Sequence, residues 1–286
     1  MCRGQSRLAR ITSALPAQRS TAFRSTYRGT SSEDEAANVP LNRRALVTGA
    51  AAGLAAGIAP AFARGDFGHI AISYRKTPPD ATCAAIEAAG ARSASVRIDF
   101  LDPAEVVIAA LDEAVRTHGP FDTLVHGVGP IVVKRFARAS LEDYREVIDG
   151  NLRSAVLAAR ATLPAMRESG FGRIVFFGMV GSSETRPFRG FTLYQAAKSG
   201  LVAFARCLAI EEAGNGITVN VVSPGAIRDK SIDRTGARAR EARNPRGRAG
   251  SYEDVADAVR FLVAAERDFV TGSVIEVTGG LQTAQD

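Results

Sequence analysis

Seven short apolar, β-branched runs recur from residue 43 onward, and longer stretches of helical character separate them. They lie at 45–48, 70–74, 94–98, 123–125, 174–177, 217–222 and 274–277. Several are apolar throughout, as strands covered on both faces must be. Repeated alternation of strand and helix predicts a parallel sheet with right-handed crossovers and helices on both faces. The expected fold class is therefore α/β, with about seven strands in a single doubly wound domain over residues 43–286. Ser140 and Asp143 form a Ser-x-x-Asp capping box, predicting a helix that starts there and runs towards Glu168.

Charge separates this body from what precedes it. The formal net charge is +6, yet residues 1–32 hold six Arg and no acid. The other 254 residues carry 30 basic and 30 acidic side chains, so the body has no global nucleic-acid signature. Residues 1–42 read as a disordered or targeting extension. Arg- and Ser-rich, acid-poor composition resembles an organelle transit peptide, while Pro16 interrupts its short amphipathic pattern. A cytoplasmic protein is expected, with mitochondrion or plastid as the alternative if the extension targets. No run approaches the 18 apolar residues of a membrane span, so no membrane partner is expected. Cys2, Cys83 and Cys207 have neither metal-ligand spacing nor an even count, and no metal is expected.

Two motifs carry chemistry. The first run ends in Thr48-Gly49-Ala50-Ala51-Ala52-Gly53-Leu54, glycines between a strand and a helix. Such a turn lets a pyrophosphate approach the backbone and the helix N-terminus, as in Rossmann-type folds. The second run ends in Tyr74-Arg75-Lys76 with no acid for a ribose 2′-hydroxyl, which argues for NADP(H) bound by Arg75 and Lys76. Further on, Tyr194 and Lys198 stand four residues apart, on one face of a helix. The ammonium should lower the phenol pKa towards neutral and make Tyr194 a proton donor to a carbonyl.

Together these residues resemble the short-chain dehydrogenase/reductase family, and within it the 3-oxoacyl-acyl-carrier-protein reductase branch. The likeness extends from Arg44 to Leu281. Thr48, Gly49 and Gly53 match the family's cofactor turn, which also includes Ala51 and Leu54. Ile98-Asp99-Phe100 matches the strand end whose Asp meets the adenine amino group. Gly127 follows the fourth strand where the family contacts the cofactor. Asn151 matches the helix Asn that supports a water relay to the lysine, and Tyr194 and Lys198 match the catalytic pair. Pro224, Gly225 and Ile227 match the loop that receives the nicotinamide amide. The resemblance implies an NADPH-dependent carbonyl reductase acting on an oxoacyl thioester, with an acidic carrier protein as a possible partner. It also implies a homodimer or homotetramer through helices near 141–168 and 190–213, with Ala155, Leu157, Leu201, Phe204 and Cys207 as contacts. An enoyl-thioester reductase and a weakly catalytic NADP(H)-binding protein are the alternatives.

Four departures from the family pattern matter. Ala55 stands where the turn's third glycine belongs, with Gly57 nearby. His126-Gly127-Val128-Gly129 replaces Asn-Asn-Ala-Gly, and His126 reads as a structural imidazole. The catalytic serine falls on Met179, and Ser182 or Ser183 could supply the hydroxyl if the loop folds back. Asp229 replaces a nicotinamide-contacting Thr. In addition, eight basic and three acidic residues between Arg228 and Arg248 predict a positive lid suited to an anionic substrate.

Overall fold

Every apolar run becomes a strand. They are β1 (Arg43–Thr48), β2 (Phe67–Tyr74), β3 (Arg92–Arg97), β4 (Thr123–His126), β5 (Gly172–Phe177), β6 (Ile217–Pro224) and β7 (Val274–Val277). All pair in parallel, in the order β3-β2-β1-β4-β5-β6-β7. This is a computed structural model, and it describes residues 42–281 apart from Arg64, Ala226 and Arg228. The expected N-terminal extension lies outside the described residues apart from Asn42, as do two positions of the loop after β6.

Helices cover both faces. On one side α3 (Ala104–His118), α5 (Ser154–Ser169) and α6 (Thr192–Glu212) bury Val107, Leu111, Ala158, Leu163, Leu201 and Ala205 against the sheet. On the other, α1 (Gly53–Phe62), α2 (Asp80–Ala88) and α8 (Tyr252–Val263) bury Ile58, Phe62, Ile86, Val255 and Val259. At ~1.5–3 kcal/mol for each fully buried large aliphatic or aromatic side chain, these two layers supply the main drive to fold. The strand order reverses between β1 and β4, which opens a crevice at their C-terminal ends.

The capping box at Ser140 and Asp143 forms as expected and opens α4 (Leu141–Ile148). The helix does not run unbroken towards Glu168. A π-helical turn, Asp149–Arg153, separates α4 from α5. Ala155, Leu157 and Leu201, expected at a subunit contact, instead face their own sheet in the core, because that side of α5 and α6 is the apolar one. Phe204 is half-buried against Phe176, and Cys207 is exposed.

Candidate active site

The glycine turn is built where β1 ends. Gly49 and Gly53 have φ of 69° and 71°, which side chains with a Cβ rarely adopt. A Cβ on Gly49 would lie 3.1 Å from Val128, so the β4 loop packs directly on the turn. Ala55, in place of glycine, meets no clash because Gly127 opposite it is bare: a Cβ on Gly127 would lie 2.6 Å from that of Ala55. Gly57 serves a different contact, leaving room for the Tyr252 ring. The N-terminus of α1 has no side-chain cap and no acid in its first turn. Its free N–H groups and partial positive charge suit a pyrophosphate. A nicotinamide dinucleotide therefore fits this end of the sheet.

His126 supports that floor. Its Nδ1 lies 2.8 Å from Thr48 Oγ1 and its Nε2 2.9 Å from Ser154 Oγ. Ser154 Oγ donates to the Gly150 carbonyl, so it accepts from Nε2–H, and Thr48 must then donate to Nδ1. Burial lowers the imidazole pKa to about 3, and the Lys198 charge adds to this, so the ring is neutral. Phe100 and Phe176 meet it edge to face. His126 is thus the structural imidazole expected from its place in the sequence.

A cavity of about 510 Å³ lies over this floor. Its walls include Gly53 and Leu54 from the start of α1, Gly127 and Gly129 after β4, and Gly178 and Met179 after β5. Tyr194 and Lys198 come from α6, and Pro224, Gly225, Ile227 and Lys230 follow β6. Phe188, Phe191, Ile131 and Leu281 add apolar lining, and there is no carboxylate among the described residues that line the space.

Lys198 is fully buried. Its Nζ donates to the Phe177 carbonyl at 2.6 Å and lies 5.6 Å from the centre of the Tyr194 ring. Desolvation, with a smaller contribution from the Lys230 charge, lowers its pKa to about 7. Burial pushes Tyr194 up to about 12. This corrects the expectation that the ammonium would draw the phenol towards neutral. The charge that could do so is itself half lost at pH 7, and desolvation of the phenolate dominates. Tyr194 is consequently a protonated phenol throughout the physiological range.

The π-helical turn aims Asn151 into the same region. Its Nδ2 donates to the carbonyls of Pro130 and Val147, both at 2.8 Å, which fixes the amide. The buried Oδ1 has no partner among the described residues and converges with Lys198 Nζ on Gly129, each 3.1 Å from where a Cβ would stand.

Ser182 does not reach the cavity. Its Oγ accepts from Met179 N at 3.3 Å and sits 3.5 Å from Ser223 Oγ, in the space left by the bare Gly178. Ser183 donates to Glu184. The longer turn therefore packs the Ser182 hydroxyl behind the strand end and leaves that of Ser183 at the surface, and Tyr194 carries the one hydroxyl among the described residues that line the cavity. Met179, a thioether without a donor, faces the cavity in the serine's place.

A second cavity of about 280 Å³ lies where β2 and β3 end, lined by Gly49, Ser73, Tyr74, Arg75, Asp99, Phe100 and Gly150 among others. Arg75 Nε donates to Asp99 Oδ2 at 2.8 Å, and Leu101 N donates to Oδ1. Asp99 is thus engaged by this chain's own arginine. Lys76 is exposed and does not line the cavity. The positive lid is partly neutralised as well: Arg240 pairs with Asp229, Arg234 with Asp254 and Asp257, and Arg248 with Asp254. Lys230, which faces the main cavity, carried no individual signal in the sequence beyond its place in that run.

A parallel sheet with a glycine turn at its switch point, beneath a Tyr/Lys pair, defines a nicotinamide-dependent oxidoreductase class. The family model described as enoyl-(acyl carrier protein) reductase matches residues 49–282. The 3-oxoacyl-acyl-carrier-protein reductase FabG of Escherichia coli (strain K12) is 33% identical over 243 residues, 83% of this chain and 96% of that protein. The short-chain reductase protein NovJ of Streptomyces niveus is 31% identical over 246 residues, 82% and 92% of the two chains. A solved short-chain dehydrogenase/reductase variant from Serratia marcescens superposes with a TM-score of 0.74 at 26% identity, covering 85% of this chain and all of that one. The chain belongs to the short-chain dehydrogenase/reductase family.

Proposed function

We propose that this oxidoreductase uses NADP(H) to reduce the carbonyl of an oxoacyl thioester, with Tyr194 as general acid. The observation that carries the reading is the carboxylate-free cavity joining the uncapped α1 N-terminus to a protonated phenol and a buried lysine. Gly49, Ala51, Gly53 and Leu54 would hold the pyrophosphate, and Pro224, Gly225 and Ile227 the amide end. When bound, the nicotinamide supplies the hydride to the substrate carbon. Tyr194 hands its proton to the oxygen. A raised pKa suits this direction, since the phenol is protonated and an alkoxide is far more basic. Lys198, when charged, stabilises the phenolate left behind. Asn151 Oδ1 would orient a water that returns a proton through Lys198.

Arg75, held at the rim of the second cavity by Asp99, supports NADP(H), because no acid at the end of β2 repels a 2′-phosphate. The apolar wall of Ile131, Phe188, Phe191 and Leu281 suits an acyl chain. Assembly through α5 and α6 belongs to the same proposal, and light scattering at micromolar concentration tests it. Ile210 on α6, 82% exposed, is a side chain such a contact would cover.

Met179 favours a second reading. Without a serine to bind an oxyanion, reduction of an enoyl thioester, where the thioester oxygen needs only the phenol, is the competing chemistry. NADPH oxidation with matched 3-oxoacyl and enoyl thioesters, followed by product analysis, decides between them. Turnover of the enoyl compounds alone would overturn the carbonyl reading. Turnover of neither, with NADPH still binding, would leave a nucleotide-binding protein.

A further inference from the structure

Lys230 stands where the loop after β6 closes over the glycine turn. A Cβ on Gly53 would lie 3.5 Å from Lys230 Cδ, so the aliphatic stem crosses directly above the first residue of α1. The residue is exposed, and it lines the same cavity as Lys198. The Lys230 charge acts on Lys198, so the two cations repel across that space. No carboxylate among the lining residues balances them. The neighbouring Asp229 does not serve, because it is engaged by Ser231 and Arg240. The N-terminus of α1, with no side-chain cap, adds its own positive potential from below. A cavity of this kind, with two lysines and a helix N-terminus facing one another, is built for an anion.

We propose that Lys230 is a cofactor-binding residue that clamps the dinucleotide pyrophosphate against the N-terminus of α1 from the opposite side. The inference rests on the cofactor reading above. The backbone N–H groups of the turn would bind one face of the diphosphate, and Lys230 would close the other with a charge-assisted hydrogen bond. An anion lying between Lys230 and Lys198 would also remove the repulsion between them.

The test is equilibrium binding by the full-length protein, read by calorimetry or fluorescence independently of turnover. Four ligands serve: NADPH, NADH, 2′-phospho-ADP-ribose and adenosine 2′-monophosphate. In Lys230→Gln the first three should each weaken by ~10- to 100-fold, the range for losing one hydrogen bond to a charged group. Adenosine 2′-monophosphate, which lacks the pyrophosphate, should bind unchanged. Lys230→Arg should restore affinity to within a few-fold. Equal binding of 2′-phospho-ADP-ribose by wild type and Lys230→Gln would overturn the clamp while leaving the cofactor reading intact. A wild-type protein that binds neither NADPH nor NADH would overturn both. Loss of all four ligands together in Lys230→Gln would show damage to the fold instead of a lost contact, and would also count against the clamp.

Discussion

The two ends of the sheet each bury positive charge, and they treat it differently. At the end where the strands begin, the Arg43 guanidinium donates to Asp122, to the Val263 carbonyl and to Thr123. Arg173 donates to the carbonyls of Gly172, Gly216, Ala264 and Ala265. The two stack on Phe171 at 5.0 and 4.2 Å, and together they tie the C-terminal end of α8 to the sheet. Burial still lowers Arg173 to about 10, but it remains charged. At the other end, Lys198 has one carbonyl and a cavity, and burial takes it to about 7. A buried cation with its donors filled is scaffold. One with donors to spare, facing open space, is placed for chemistry.

Four experiments can break or sharpen that contrast. Tyr194→Phe should lower kcat by ~10³-fold or more, near the upper range for a lost general acid. Its NADPH Kd and unfolding midpoint should stay near wild type. Substantial residual activity would mean that the cavity end does something other than donate a proton. Arg43→Met should behave in the opposite way. It strips Asp122 of its buried cation and should cost ~3–5 kcal/mol in urea unfolding, with turnover little changed in the folded fraction. A loss below ~1 kcal/mol would erase the distinction between the ends.

The third test is pH. Lys198 is charged below about 7 and neutral above it, so phenolate stabilisation should fade as pH rises through that value. The kcat/KM for the cofactor, which reports free enzyme, should fall by up to ~10-fold per unit above the transition. Tyr194 contributes no fall there, because it holds its proton to about 12. A flat profile from pH 6 to 9 would show that the lysine charge is not required. The smallest effect belongs to Ser182→Ala. The hydroxyl sits behind Gly178, so turnover should change by less than ~3-fold, far short of the ~10²–10³ typical of a lost oxyanion donor. A larger loss would place that hydroxyl in the cavity after all.

What could be read from the sequence follows from how local each determinant is. The seven strands, the capping box at Ser140 and the glycine turn are written in short-range pattern, and all three form. The pairing of Tyr194 with Lys198 is also local, being one helical turn. Their protonation is not, because it depends on walls contributed by β5, β6 and the loops after them. Ser182 was misplaced for a similar reason. Spacing along the chain shows that the turn after β5 is longer, but not which way the extra residues pack. Gly178, just beyond β5, and Ser223 in β6 decide that. Ala55 stood as a bare departure in sequence because its compensating partner, Gly127, is 72 residues away.

The π-helical turn has one further implication. A turn with one residue too many separates two requirements that a continuous α-helix would lock together. α4 and α5 can each keep its apolar side on its neighbours, while Asn151 Oδ1 converges with Lys198 Nζ on Gly129. Removing one residue from Asp149–Arg153 would restore regular i to i−4 bonding. It would leave α5 in nearly the same register but change where Asn151 projects. The helix would gain and the proposed relay would be lost, so on that reading this extra residue is a small instability kept in the service of aim.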